Sequence, residues 1–177
     1  AYYHYQQDDY VNAIKKFSKA LEFKNEVANG YKVADTYINR GNCRRMLMNY
    51  ESAQQDFDEA LRLKPEYVKV YLVKSSSYIS SSQFQNAIDW ANKGLDIKPN
   101  DIQLKHIKSE GLTRLKKYDD AISILFSIID ENQKNKNAYK FIGHNYQMKK
   151  NWDSALKYFS AAIVLDPLDF ASFFDRG

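Results

Sequence analysis

Apolar side chains return along this chain at three- and four-residue intervals, in blocks separated by short polar breaks. That spacing gathers them on one face of a helix. From Tyr50 onward, Ala53, Phe57, Ala60 and Leu61 mark one such face. Pro65 closes it, because proline cannot continue a helix but can open the next. The blocks repeat. Ala53, Ala87, Ala121 and Ala155 are each 34 residues apart, and a fifth alanine, Ala13, lies 40 residues before Ala53. Each has an aromatic three residues earlier (Tyr10, Tyr50, Phe84, Tyr118, Trp152) and a bulky aliphatic eight residues later (Leu21, Leu61, Leu95, Ile129, Ile163). A fixed period of this size predicts stacked supersecondary units, each a pair of antiparallel helices.

With position one of the repeat at Ala34, Val68, Ile102, Lys136 and Phe170, full repeats cover 34–67, 68–101, 102–135 and 136–169 of a single array. A partial first repeat and a longer connection occupy 1–33, and a sixth repeat starts at 170–177. Ala1 and Gly177 both fall in the middle of a repeat, which predicts an excerpt of a longer chain. Second helices are expected at Tyr10–Lys24 after a turn at Asp8-Asp9, at Tyr50–Leu63 and at Phe84–Ile97. A first helix is expected over Asp35–Met48, with longer helices meeting at Asn29-Gly30. Turns are expected near Asn49, Ser82, Lys116 and Asn151. Two helices approach closely only where side chains are small. Gly41, Ser75, Ser109 and Gly143 on first helices and Ala53, Ala87, Ala121 and Ala155 on second ones would supply those contact points, while Tyr50, Phe84, Tyr118 and Trp152 fill the wedge between pairs. The fourth repeat departs most, with Lys105 for the early aromatic, Leu125 and Ile128 for an aromatic–small pairing, and Gln133 for the proline. Its helix packing should be the most distorted. Phe170, Phe173 and Phe174 would face a neighbour beyond the chain.

These features, in particular the aromatic-x-x-Arg-Gly…Tyr-x-x-Ala-x-x-x-Phe-x-x-Ala-Leu…Pro run over Tyr37–Pro65, resemble the tetratricopeptide repeat family. The resemblance extends over nearly the whole chain. It implies an all-α fold, a right-handed superhelical α-solenoid of antiparallel helix pairs. It also implies a scaffold for protein–protein contacts with a concave groove lined by first helices.

Composition narrows the function classes. Lys and Arg number 26 against 22 Asp and Glu, and the excess of +4 is spread along the chain. No repeat carries the basic footprint that nucleic-acid binding needs. No apolar run is long enough for a membrane span, and no signal peptide is expected. Cys43 is the only cysteine, which fits a reducing, cytoplasmic setting, with a cytoskeletal or ciliary assembly as one location.

Candidate chemistry is sparse. His4, His106 and His144 lack metal-ligand spacing, and Cys43 has no His or Asp partner suggested by spacing, so no catalytic residue, metal or cofactor is expected. The family's carboxylate clamp for acidic chaperone tails needs a set of Lys, Asn and Arg positions. Asn39 and Lys69 match it in one register and Asn42 in another, but Tyr2, Val73, Ile38, Gln103 and Ile107 break it. That leaves the groove positions of the first helices. An apolar stripe runs Ile38–Leu72/Val73–Ile107–Phe141, flanked by Asn39, Asn42, Lys69 and His144. It predicts a protein partner, held as a helix or an extended segment by apolar anchors. The bland alternative is that some of these side chains bury sideways against the adjacent repeat. His106 and His144, at positions five and nine of successive repeats, could approach each other as a pH-sensitive contact, against the plainer reading of solvated groove residues. The rival functions are a regulatory array whose enzyme lies outside the chain and an RNA-binding helical repeat.

Overall fold

A computed structural model describes residues 2–22 and 30–167. Among the described residues the secondary structure is helical throughout: α1 (Tyr2–Glu22), α2 (Gly30–Met46), α3 (Tyr50–Leu63), α4 (Val68–Ser80), α5 (Phe84–Ile97), α6 (Ile102–Arg114), α7 (Tyr118–Glu131), α8 (Lys136–Met148) and α9 (Trp152–Leu165). The chain divides into two compact units, Ala1–Lys98 and Pro99–Gly177. The expected meeting point at Asn29 and the apolar cluster Phe170, Phe173 and Phe174 lie outside the described residues.

The expected second helices Tyr50–Leu63 and Phe84–Ile97 are found with those bounds. First helices α4, α6 and α8 start at Val68, Ile102 and Lys136, the first positions of the repeat frame. Two boundaries differ. The helix expected over Asp35–Met48 runs from Gly30, at the point where longer helices were expected to meet, to Met46. The turn expected at Asp8-Asp9 is absent, and α1 runs through both residues without interruption. The physical reason is local. Residues 2–22 contain neither Gly nor Pro. Extending a helix adds a hydrogen bond for each residue fixed, and nothing in this stretch interrupts that.

Within each pair the turn is the same. Met48, Ser82, Lys116 and Lys150 take φ of 59–60°. After each, the next N–H reaches back five residues: Asn49 donates to the Arg44 carbonyl, Gln83 to Tyr78, Lys117 to Leu112 and Asn151 to Tyr146, all at 2.9 Å. This closes the first helix with a left-handed residue that is usually Gly, and none of the four is Gly. Asn49 and Asn151 then cap the return helix, accepting from Ser52 N at 3.4 Å and Ser154 N at 3.1 Å.

In the first unit the core joins Leu21 of α1, Tyr37 and Ile38 of α2, Phe57 and Ala60 of α3 and Val70 of α4. Burying a ring such as Phe57, at 0% exposure, stabilises by roughly 1.5–3 kcal/mol. In the second unit Leu125 and Ile128 of α7 pack with Ala138 and Ile142 of α8. Glycine at position eight does admit a close approach, but to a phenylalanine ring of the return helix rather than to its spaced alanine. A Cβ on Gly41 would lie 2.6 Å from Phe57 Cε1, and one on Gly143 would lie 2.7 Å from Phe159 Cδ1. Ser75 and Ser109 are buried at the same position and turn their hydroxyls onto their own helices, donating to the Tyr71 and His106 carbonyls at 2.7 and 2.8 Å. Trp152 is a correction: it is 62% exposed, whereas Tyr50, Phe84 and Tyr118 are half-buried. The chain that follows Pro167, where a wedge partner for Trp152 was expected, lies outside the described residues.

Candidate functional site

The candidate positions project from α2, α4, α6 and α8, the first helices of the pairs, and the structure treats them unequally. In the first unit Ile38 is fully buried, packed in the α1–α4 core. It cannot touch a partner, which corrects the expected stripe at its first member. Val73 is half-buried and packs against the same cluster. Both have gone sideways between neighbouring helices. Leu72 and Asn42 are half-buried and Asn39 is exposed. The Lys69 ammonium donates to Asp35 Oδ1 at 2.6 Å, and the Tyr67 hydroxyl donates to the same oxygen at 3.0 Å. These bonds hold the Asp35 carboxyl below the usual aspartate range and raise the Lys69 ammonium above its own. A ligand carboxylate would have to displace Asp35 to use Lys69.

In the second unit the expected residues converge. Ile107 on α6 and Phe141, His144 and Met148 on α8 line one pocket of about 540 Å³. Phe141 and Met148 stay 46% and 48% exposed. The polar groups of the wall come from both helices. Glu110 and Arg114 form a loose pair at 3.8 Å on the α6 rim. At the back, Asn145 is 2% exposed, accepts from the Thr113 hydroxyl at 2.8 Å and donates to the Phe141 carbonyl at 2.8 Å. That pair of bonds ties α8 to α6 and fixes the turn that carries Phe141. The His106 ring meets Phe141 edge-on with centroids 5.6 Å apart. Its pKa is pushed down by burial, opposed by a hydrogen bond to Asn135. His106 and His144 both line this pocket.

Three polar features escaped sequence reasoning. Asp56 is 2% exposed and is held by Arg40 at 2.6 Å and Arg44 at 2.9 Å, while Arg40 also donates to Ser18 of α1 at 3.0 Å. Lys74 is buried, paired with Asp58 and stacked over the Trp90 ring at 3.9 Å. Asn145 stands at repeat position ten, where nothing in the pattern asks for a polar side chain. A signal existed for the first two: Arg40 and Lys74 occupy position seven, two cations on what the helical period marks as an inward face. Cys43 is half-buried and its thiol pKa is pushed up by burial, so it is a poor nucleophile. Among the described residues no cluster of His, Cys, Asp and Glu could hold a metal ion, and no helix is long and apolar enough to cross a membrane.

Comparison with known proteins agrees with this geometry. Two models of the tetratricopeptide repeat match the chain, over residues 1–66 and 47–102. The chain belongs to the tetratricopeptide repeat family. Human sperm-associated antigen 1 is 30% identical over 107 residues, 60% of this chain and 11% of that protein. Human tetratricopeptide repeat protein 4 is 26% identical over 118 residues, 66% of this chain and 30% of that protein. DnaJ protein P58IPK homolog A of Oryza sativa subsp. japonica is 26% identical over 147 residues, 76% of this chain and 31% of that protein. The chain thus spans between 11% and 31% of the length of these curated relatives. Among solved structures, MamA matches with a TM-score of 0.75 at 20% identity, covering 90% of each chain. YrrB, a tetratricopeptide repeat protein with an unusual peptide-binding site, matches with a TM-score of 0.73 at 20% identity, covering 94% of this chain and 83% of its own. At that identity the likeness shows the fold alone, an all-α solenoid of antiparallel helix pairs. Proteins built this way are generally protein-interaction scaffolds.

Proposed function

We propose that this tetratricopeptide repeat chain is a non-catalytic scaffold that holds a segment of a partner protein against its first helices, through apolar anchors with polar groups setting the register. The observation that carries this reading is the pocket framed by α6 and α8, where Ile107, Phe141 and Met148 form an apolar floor that the fold leaves open. Large side chains kept half in water inside a concavity mark contact sites, because folding gains little from them there. The peptide-binding site of YrrB, on the same fold, supports the choice of a peptide segment as ligand. The reading puts Ile107, Phe141 and His144 at the contact, with Leu72, Asn39 and Asn42 as the corresponding open face of the first unit.

The test uses peptides selected against the chain from a random display library, with affinity read by fluorescence anisotropy. Phe141→Asp should weaken the selected peptides by at least about tenfold, a single buried aromatic anchor commonly contributing 2 kcal/mol or more. The far-UV circular dichroism and the melting temperature should barely move, because Phe141 is already 46% exposed. Affinity should depend weakly on salt, in contrast to RNA, where counterion release makes the dependence steep. Undiminished binding by Phe141→Asp, or a steep loss of affinity with salt, would sink the proposal.

A further inference from the structure

Nδ1 of the His106 imidazole is shut from solvent with no hydrogen-bond partner, and the Asn135 side chain nearby only partly offsets the effect of burial on the ring. This ring forms part of the pocket wall beside Phe141. A neutral imidazole tolerates that position. A charged one would place an N–H⁺ at Nδ1 with nothing to accept it, which is among the costly arrangements in a protein interior. The other titratable groups lining the pocket are Glu110 and Arg114 on α6, Lys116 on the turn, Tyr118 on α7 and His144 on α8. Their signs are mixed, and the carboxylate among them is held by Arg114. A charged anchor therefore meets no single opposing field, while an uncharged ring can extend the edge-to-face pair that His106 and Phe141 already make.

We propose that this pocket takes an uncharged aromatic side chain of the partner segment, and that His106 gates it: the neutral imidazole admits the ring and the protonated one releases it. This rests on the groove reading above and adds to it both the anchor's chemistry and a pH control. An anchor seated in the pocket removes further water from His106 and so disfavours its charged form more. By linkage, acid must then weaken the complex.

The probe is N-acetyl-phenylalanine amide, titrated into the 177-residue chain while the Ile107 and Met148 methyl resonances and the His106 ring resonance are followed by NMR. Binding at a pH two units above the His106 midpoint of the free chain should be tighter than at a pH two units below it, by roughly tenfold if the probe lowers that midpoint by about one unit. The His106 titration midpoint should fall when the probe is added. His106→Phe should bind the probe equally at both pH values. Equal affinity at both pH values in the unsubstituted chain, or an unchanged or raised His106 midpoint, overturns the gate and leaves the groove reading standing. A loss with acid that persists in His106→Phe also overturns it, by moving the effect to another group. Methyl resonances that do not respond at either pH overturn the anchor and the groove reading of this pocket together. The ring titration needs no substitution, so the gate stays open to refutation even if His106→Phe fails to fold.

Discussion

Replacing Gly143 by Ala tests whether close helix approach, rather than helix propensity, decides what stands at position eight of the repeat. The added Cβ would lie 2.7 Å from Phe159 Cδ1 and 2.8 Å from Cε1, against about 3.5–4.0 Å for carbons in comfortable contact. The ring cannot swing away, since Phe159 is 1% exposed. Overpacking of this kind costs about 1–3 kcal/mol. Opposing it, Ala is better than Gly inside a helix by about 1 kcal/mol. The expected net effect is a loss of about 1 kcal/mol, and the sign carries the information. The chain supplies its own control: where position eight is Ser75 or Ser109, the residue facing it in the frame is Ala91 or Leu125 rather than Phe. In a Phe159→Leu background, Gly143→Ala should therefore become neutral or stabilising, giving a coupling of about 1–2 kcal/mol between the two positions. Urea unfolding followed by circular dichroism measures all four corners, with the slope m unchanged between them. If Gly143→Ala raises the midpoint in both backgrounds, the close approach is not what requires glycine here.

Two further sets of substitutions separate buried charges that matter from those that do not. Asp56→Ala leaves two guanidiniums without the carboxylate they share and should cost about 3–5 kcal/mol in urea unfolding. Lys74→Met removes an ammonium whose pKa burial already lowers, and leaves Asp58, 59% exposed, in water. It should change stability by no more than about 1 kcal/mol in either direction. For Asp35, whose pKa is lowered chiefly by the Lys69 hydrogen bond, the sign follows from protonation. Its contribution is fully present above the ordinary aspartate pKa and is lost as pH falls through the depressed folded value. Asp35→Asn should remove that part of the acid dependence, and an NMR titration of the Asp35 carboxyl should give a midpoint below 3.8.

Period and capping made most of the fold legible. Pro65 and Pro99 stop α3 and α5, Asn49 and Asn151 open α3 and α9, and the spaced alanines identify the inner face of each return helix. The left-handed turn residues could be located but not explained from sequence, since Met48, Ser82, Lys116 and Lys150 share no side-chain property that favours positive φ. Backbone closure by the bonds to Arg44, Tyr78, Leu112 and Tyr146 selects the conformation instead. The failed turn at Asp8-Asp9 is the converse case. The local residues suit a cap, but with neither Gly nor Pro in the stretch to end a helix, α1 continues through them.

The groove was less legible, and the reason lies in adjacent positions of the repeat. Positions five and six are neighbours on the helix surface, separated by about 100° of rotation. At position six Phe141 points into the pocket and Asn39 into water, while at position five Ile38 is driven into the core against α1 and α4. An apolar residue at either place reads identically in a pattern of hydrophobic positions. Which one faces the partner depends on how far the next first helix leans over it, a tertiary quantity that no spacing encodes. Val73 makes the point from the other direction: it holds position six, as Phe141 does, yet packs on the first unit's core. The open apolar surface is therefore not a continuous property of the repeat. On α6 and α8 it gathers at Ile107, Phe141 and Met148, where Asn145 and Thr113 pin α8 to α6 from behind and leave the front uncovered. A partner that needs an apolar anchor should find it there first, and substitutions along the nominal stripe at Ile38 should unfold the chain rather than release the partner.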